Sequence, residues 1–233
     1  MSKSIRENVI EVRARIEAAA RRAGGDAAMV RCLAATKNRS VAEIREALQA
    51  GVTVLGENRA QEFLSKAGEI GGEAEWHFIG HLQRNKVKSI VGRVALIHSV
   101  DSARLAEEVN ARAERIGIRQ AVLLQVNVAG EESKWGARCD EAEGLLDSLR
   151  GMSGLEFKGF STIAPLVGDA EDARWVFKRL RELGEELGYE AGRSGCELSM
   201  GMTGDFEVAV EEGSTIVRVG TAIFETGGRL AVE

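Results

Sequence analysis

The sequence has one proline, Pro165, and no Pro/Ser-rich stretch that would act as a linker. Aromatic residues make up 5% and there is one tyrosine, Tyr189, too few for the stacking platforms that hold single-stranded nucleic acid. The three cysteines, Cys32, Cys139 and Cys196, are odd in number and widely spaced. That excludes a disulfide framework and a zinc knuckle, and fits free thiols in a reducing cytoplasm. Basic residues are not in excess: 31 Lys+Arg against 36 Asp+Glu give a net charge of −5, so no basic face for nucleic acid is expected. No apolar run reaches the length that spans a membrane, and the segment Met1–Glu7 lacks the apolar core of a signal peptide. These absences predict a cytoplasmic protein that binds neither membrane nor nucleic acid.

What is present is a globular balance, 44% apolar and 29% charged over 233 residues, enough to bury a substantial core. Twenty-seven glycines punctuate the apolar runs, as in one domain with many short turns. An opening helix is predicted over Ser4–Ala23, with Ile5, Val9, Val12 and Ile16 on one face. The run 30–36 is too short for a helix and reads as a buried strand, and Ser40 with Glu43 forms a capping box that starts the next helix. Further strands are predicted at Val52–Leu55, Trp76–Ile79, Val94–Val100, Ala121–Val128, Leu155–Phe160, Glu197–Met200 and Thr215–Val219. Each of the first seven strands is followed by a helical stretch. This alternation implies a parallel sheet, and eight units in this length predict a single (β/α)8 TIM-like barrel over 30–224, with an extra N-terminal helix within 1–25. The competing open, doubly wound sheet would be supported by G-x-G-x-x-G after the first strand, which is absent.

Barrel chemistry gathers at the C-terminal ends of the strands. Lys37, one of eight lysines, directly follows the first strand; there it is either a nucleophile able to form an imine with a carbonyl or a solvated loop charge beside Arg39. The segment 197–206 joins a strand end to a small, hydroxyl-rich turn containing Gly201, and Val219-Gly220-Thr221 closes the last strand. These are the turns after strands seven and eight, where barrels often bind phosphate. Arg218 lies between two valines inside an apolar strand, a costly place for a cation without a partner. Asn58 with Gln61 also fits a plain helix cap. His77 and His81 span a strand end and lack the one-face geometry of a helical metal pair, so no metal is expected. Lys134 follows strand five, as a mouth residue or a loop charge.

Several ordered blocks then point to one family: Ala34-Ala35-Thr36-Lys37, Gly56-Glu57-Asn58, Trp76-His77-Phe78-Ile79-Gly80, Leu82-Gln83-Arg84-Asn85-Lys86, Lys134-x-Gly136, Thr162-Ile163-Ala164-Pro165, Leu198-Ser199-Met200-Gly201-Met202 and the stretch 213–224. Together they resemble the pyridoxal 5′-phosphate homeostasis protein family from about Leu33 to Phe224. The resemblance implies a single-domain barrel like the N-terminal domain of alanine racemase. It also implies that Lys37 holds pyridoxal phosphate as an internal aldimine. Ser199, Gly220 and Thr221 would bind the phosphate, helped by the Met200-Gly201 backbone. Arg218 would face the pyridine nitrogen, Asn58 would line the ring pocket, and His77 and Met200 would lie near it. Phe160-Ser161 before Thr162, and Trp135 within the Lys-x-Gly block, depart from the family pattern at the pocket rim.

An arginine is always a donor, so opposite Arg218 the ring nitrogen would stay unprotonated and carbanions would gain less stabilisation. That suits holding and handing on the cofactor to client enzymes. A racemase, the alternative, needs a base on each face, and Tyr189 at a helix end is a poor second base. A third reading is a barrel aldolase using Lys37 on a sugar phosphate. With no length left for a second domain, a monomer is expected.

Overall fold

The computed structural model describes residues 3–192 and 195–226. The expected 1–233 domain span therefore includes residues 1–2, 193–194 and 227–233, which lie outside the described residues. The strands are β1 (Arg31–Ala35), β2 (Val54–Glu57), β3 (Glu75–Phe78), β4 (Leu96–Val100), β5 (Gln120–Gln125), β6 (Leu155–Ser161), β7 (Glu197–Ser199) and β8 (Ile216–Val219). They pair in parallel in chain order and close, β8 against β1, into a barrel. The helices are α1 (Ile5–Arg22), α2 (Val41–Gln49), α3 (Ala60–Ile70), α4 (Val87–Ile90), α5 (Ala103–Arg115), α6 (Ala142–Arg150), α7 (Arg174–Glu186), α8 (Phe206–Glu211) and α9 (Thr221–Phe224). The expected barrel with an extra N-terminal helix is the fold found.

Strand alternation sorts side chains between two cores. Leu33, Val54, Leu96, Leu123 and Ile216 point inward and fill the barrel, with Ile79 and Ala121 against them. Their neighbours Ala34, Leu55, Phe78, Ile97, Leu124 and Val217 face the helices. A period of two thus makes each strand amphipathic between two apolar environments, and polar inward residues stand out.

Local chemistry fixes the helix ends. Ser4 with Glu7 and Ser40 with Glu43 form complete capping boxes at α1 and α2. Ile5, Val9, Val12 and Ile16 of α1 are all buried, and Asn8 on the same face donates to the carbonyls of Ile223 and Glu225, both at 3.0 Å. The first helix is thereby tied to the chain that follows β8. On its polar side Arg15 pairs with Glu207 of α8 at 2.8 Å.

Several strand bounds differ from those expected: β2 runs over Val54–Glu57 instead of Val52–Leu55, and β5 ends at Gln125 instead of Val128. At two places a glycine accounts for the departure. The helix after β3 is a 3-10 turn followed by the single turn of α4, because Gly92 takes φ +81° and turns the chain away. β7 stops at Ser199 instead of Met200, because Gly201 adopts φ +91° and bends the chain into the mouth.

The mouth is held together by backbone contact between adjacent loops. A Cβ on Gly80, after β3, would overlap the backbone carbonyl of Asn58, after β2. Gly80→Ala should therefore push these loops apart at a cost of about 1–3 kcal/mol. A urea unfolding curve would check this; an unchanged midpoint would mean the two loops have slack.

Candidate functional site

The β1 alternation that buries Leu33 inside the barrel continues through the half-buried Ala35 to Lys37 at its rim. The backbone on both sides of Lys37 is clamped. Thr36 is fully buried, and its hydroxyl donates to Glu57 Oε2 at 2.7 Å and lies 3.0 Å from the Gly56 carbonyl. Lys66 of α3 donates to the Thr36 carbonyl at 2.8 Å, to Glu57 at 2.8 Å and to Glu62 at 2.9 Å. Glu62 in turn accepts from the Asn38 backbone N–H at 3.0 Å. Asn38 sits at φ +59°, a left-handed conformation that asparagine tolerates better than most residues. Glu57 and Lys66 are a buried ion pair that bonds both the hydroxyl and the carbonyl of Thr36, next to Lys37, while Glu57 also accepts from the Asn58 N–H at 3.1 Å.

Arg218 points into the barrel from β8, paired in register with Leu33 of β1. Its Nη1 donates to the Ser199 hydroxyl at 2.6 Å and the Ser199 carbonyl at 2.8 Å, and Nη2 donates to the Thr162 carbonyl at 2.7 Å. These three bonds use part of the five-donor fork. Burial pushes the guanidinium down to about 10, partly offset by Asp205, so it remains a cation at neutral pH. Asp205 is raised by the same burial, against the Met202 N–H that it accepts at 2.6 Å and the charge of Arg218.

The loops after β7 and β8 meet beside it. Arg218 N–H donates to the Gly201 carbonyl at 3.0 Å, and Thr203 Oγ1 accepts from the Ala222 N–H at 3.3 Å. A Cβ on Gly201 would strike Phe206 Cα at 2.9 Å, and one on Gly220 would approach the Ala35 Cβ and carbonyl at 3.4 Å. Glycine is required at Gly201 both by the close packing and by its positive φ.

The structure thus gathers Lys37, Asn58, Gly201, Arg218, Gly220 and Thr221 on the β8–β1–β2 side of the mouth. Ser199 lies just inside, its hydroxyl occupied by Arg218 and, at 2.9 Å, by His98 Nδ1. Between the loops after β7 and β8 lies the Thr203 hydroxyl. The Met200 side chain is fully buried in the outer core, so only its backbone is near the mouth. His77 is fully buried, with Nδ1 at 2.9 Å from His98 Nε2 and Nε2 at 2.6 Å from Glu75. Sequence reasoning missed His98, Thr203 and the Lys66 clamp. His98 carried the same signal as Arg218, a polar residue at an inward position of an apolar strand.

Beside this site, a cleft of about 510 Å³ is lined by His81, Arg84, Asp101, Arg104, Lys134 and Trp135. The His81 and Trp135 rings stack there at 3.7 Å. Among the described residues, no three His, Cys, Asp or Glu side chains converge to hold a metal.

This geometry can be set beside known proteins. The family described as alanine racemase, N-terminal domain, matches residues 8–226. A pyridoxal phosphate homeostasis protein of Aquifex aeolicus is 44% identical over 219 residues, covering 94% of this chain and 96% of that one. The chain belongs to the pyridoxal phosphate homeostasis protein family. Within that family, the solved structure of PipY from Synechococcus elongatus PCC7942, with pyridoxal phosphate (PLP) bound, is 33% identical. It covers 95% of this chain and all of its own, with a TM-score of 0.81. A Clostridium difficile alanine racemase shares the fold at a TM-score of 0.73 and 12% identity, and the match covers 58% of that longer chain.

Two predictions test the site's supports. Lys66→Met leaves Glu57 buried without its cation and should cost about 3–5 kcal/mol, while the Lys66→Met/Glu57→Gln double variant recovers part of it. Urea midpoints of the three proteins decide this; equal midpoints for the single and double variants would remove the pair's role. Burial holds both His77 and His98 below the ordinary imidazole value of 6.5. The unfolded chain therefore binds protons that the folded chain refuses, so this stability is complete above that value and is lost as pH falls below it. Urea midpoints at about pH 7.5 and about pH 5.5 should show the loss, and His98→Gln should flatten it.

Proposed function

We propose that this chain binds PLP at the barrel mouth, anchors it on Lys37 and hands it on to client enzymes, serving PLP homeostasis. The observation that carries this reading is the convergence of Lys37 with the buried Arg218 and the two glycine-bearing loops. The residues fit the cofactor in kind. A primary amine stands at the rim, and a permanent cation sits one strand away. At Gly201 the loop backbone approaches Phe206 and Ala209 too closely for a larger residue, while a Cβ at Gly220 would sit in ordinary contact with Ala35.

When bound, PLP supplies an aldehyde that a primary amine captures reversibly and an aromatic ring that can accept electrons. Lys37 is the covalent anchor. Its position is set by the clamped peptides of Thr36 and Asn38. The backbone of Gly201, Gly220 and Thr221, with the Thr203 hydroxyl, cradles the phosphate; Ser199 contributes through its place against Arg218. Arg218 donates to the ring nitrogen and, with a pKa of about 10, does not give up its proton there at neutral pH. Asn58 lines the ring's edge.

This arrangement supports a carrier over a racemase. Racemisation needs a second base opposite Lys37. Tyr189 packs on the outer side of β6, its ring centroid 5.0 Å from that of Phe157, and its hydroxyl accepts from Arg150. It has no route to the mouth. A monomer is supported by the closed barrel, which leaves no sheet edge to pair. A cytoplasmic setting is supported by the three free thiols, two of which, Cys32 and Cys196, burial pushes up to about 12. Among the described residues, no helix is long and apolar enough to cross a membrane.

Lys37→Ala should abolish the absorbance band of bound PLP and the pyridoxyl mass that borohydride fixes to the Lys37 peptide. Thr203→Ala should keep the band but lower the affinity by about tenfold or more, the worth of one hydrogen bond to a charged group. Spectra with peptide mapping check both; a band retained in Lys37→Ala would move the anchor elsewhere.

A further inference from the structure

Five side chains form one continuous hydrogen-bond chain through the barrel interior. Glu75 lies at the N-terminal end of β3, where its Oε1 also accepts from Arg31 at 3.2 Å. From Glu75 Oε1 the chain passes to His77 Nε2 at 2.6 Å, from His77 Nδ1 to His98 Nε2 at 2.9 Å, from His98 Nδ1 to Ser199 Oγ at 2.9 Å, and from Ser199 Oγ to Arg218 Nη1 at 2.6 Å. His77, His98 and Ser199 are all buried, at 0%, 2% and 0% exposure, so every partner in the series is a protein group.

The ends of this chain dictate its direction. Glu75, held below the usual carboxylate range first by its hydrogen bond to His77, can only accept. Arg218 can only donate. Starting from Glu75, His77 must carry its proton on Nε2. If His77 is neutral, its Nδ1 accepts from His98 Nε2–H. If His98 is neutral, its Nδ1 accepts the Ser199 proton. The Ser199 hydroxyl then turns its lone pairs to Arg218, which is what the Arg218 end demands independently. Both ends give the same answer only when both imidazoles are neutral and carry the proton on Nε2. A proton added to either ring would reverse the Ser199 contact: His98 would then donate to Ser199 Oγ as Arg218 does, and the Ser199 proton would lose the His98 nitrogen as its acceptor. Burial disfavours that proton on both rings.

We propose that His98 and His77 are positioning residues for Arg218: a one-directional relay of neutral imidazoles fixes the Ser199 hydroxyl as an acceptor and so sets the guanidinium in the orientation it presents to the ligand. The ligand-bound part of this inference rests on the proposed function; the relay itself does not. Neither histidine touches the cofactor in this reading. They act through Ser199, and Thr162 completes the hold on the other nitrogen of the fork.

The chain has three histidines, His77, His81 and His98, so their imidazole nitrogens can be resolved in the whole protein. In ligand-free protein carrying ¹⁵N-labelled histidine and arginine, NMR should find His77 and His98 each protonated at Nε2 and bare at Nδ1 near neutral pH. A proton on Nδ1 of either ring would overturn the relay. His98→Phe breaks the series, whereas His98→Gln keeps one acceptor for Ser199 and one donor for His77. The Arg218 side-chain N–H signals should broaden or vanish in the Phe variant and stay sharp in the Gln variant. PLP titrated into the same proteins should bind about tenfold more weakly to the Phe variant and within about threefold of wild type to the Gln variant, with the bound absorbance band displaced only in the former. Sharp Arg218 signals and an unmoved band in His98→Phe would overturn the positioning role. If wild type takes up no PLP at all, the proposed function falls, and the histidine and Arg218 signals of the ligand-free proteins still decide the relay. Should His98→Phe not fold, Ser199→Ala removes a single hydroxyl and must broaden the same Arg218 signals; sharp signals there would also overturn the role.

Discussion

A cation buried inside a barrel constrains everything around it. Arg218 is 7% exposed, and its three hydrogen-bond acceptors in the barrel are two neutral carbonyls and a neutral hydroxyl. Among the described residues no carboxylate bonds it directly; Asp205 acts only through its field. A charge in that position is tolerated when its donors are met and its field is partly balanced. The residues around it follow from this need. Ser199 must keep an acceptor facing the guanidinium, so what lies behind Ser199 must take its proton. The polar layer across the barrel, from Ser199 to Glu75, is the structural answer to one buried charge.

The opposite solution appears at Lys37. Its neighbours Glu57 and Lys66 form a buried ion pair, and the surplus hydrogen-bonding capacity of that pair goes into the backbone beside Lys37. Such a pair adds little net stability, because desolvation offsets its attraction, but it fixes geometry. Here it fixes where a primary amine emerges from a strand end. Arg218 is thus oriented at its guanidinium, by one hydroxyl and two backbone carbonyls, and Lys37 through the peptide bonds on either side of it.

The barrel was legible because its cause is periodic. Alternating strand and helix patterns carry their signal in many residues, and the capping boxes at Ser4 and Ser40 marked helix starts one by one. Strand ends were less legible because glycine conformation decides them: Gly201 ends β7 and Gly92 diverts the chain after α4, and nothing local in the sequence announces a positive φ. At the site, Lys37, Arg218 and the glycine loops were visible from position alone. The partners behind them were not. His98 pairs with His77, 21 residues away, and with Ser199, 101 residues away, only through barrel closure. Thr203 meets the Ala222 N–H, 19 residues away, only because the loops after β7 and β8 come together. Met200 shows the converse: a motif neighbour whose side chain the strand alternation turns to the outer core.

The pairing of β8 with β1 has a consequence for how the protein is made. Leu33 meets Arg218 across that seam, and α1 lies over it through Asn8. These are contacts between the two ends of the barrel sequence, the most distant in the chain, and distant contacts form late. A ribosome releases β1 and its lysine long before β8 and its arginine. Lys37 and Arg218 can therefore come to the same barrel mouth only after the last strand has closed the ring. A nascent or open barrel would carry the amine without the cation, so under the proposed function retention of the ligand is also a report that the barrel has shut.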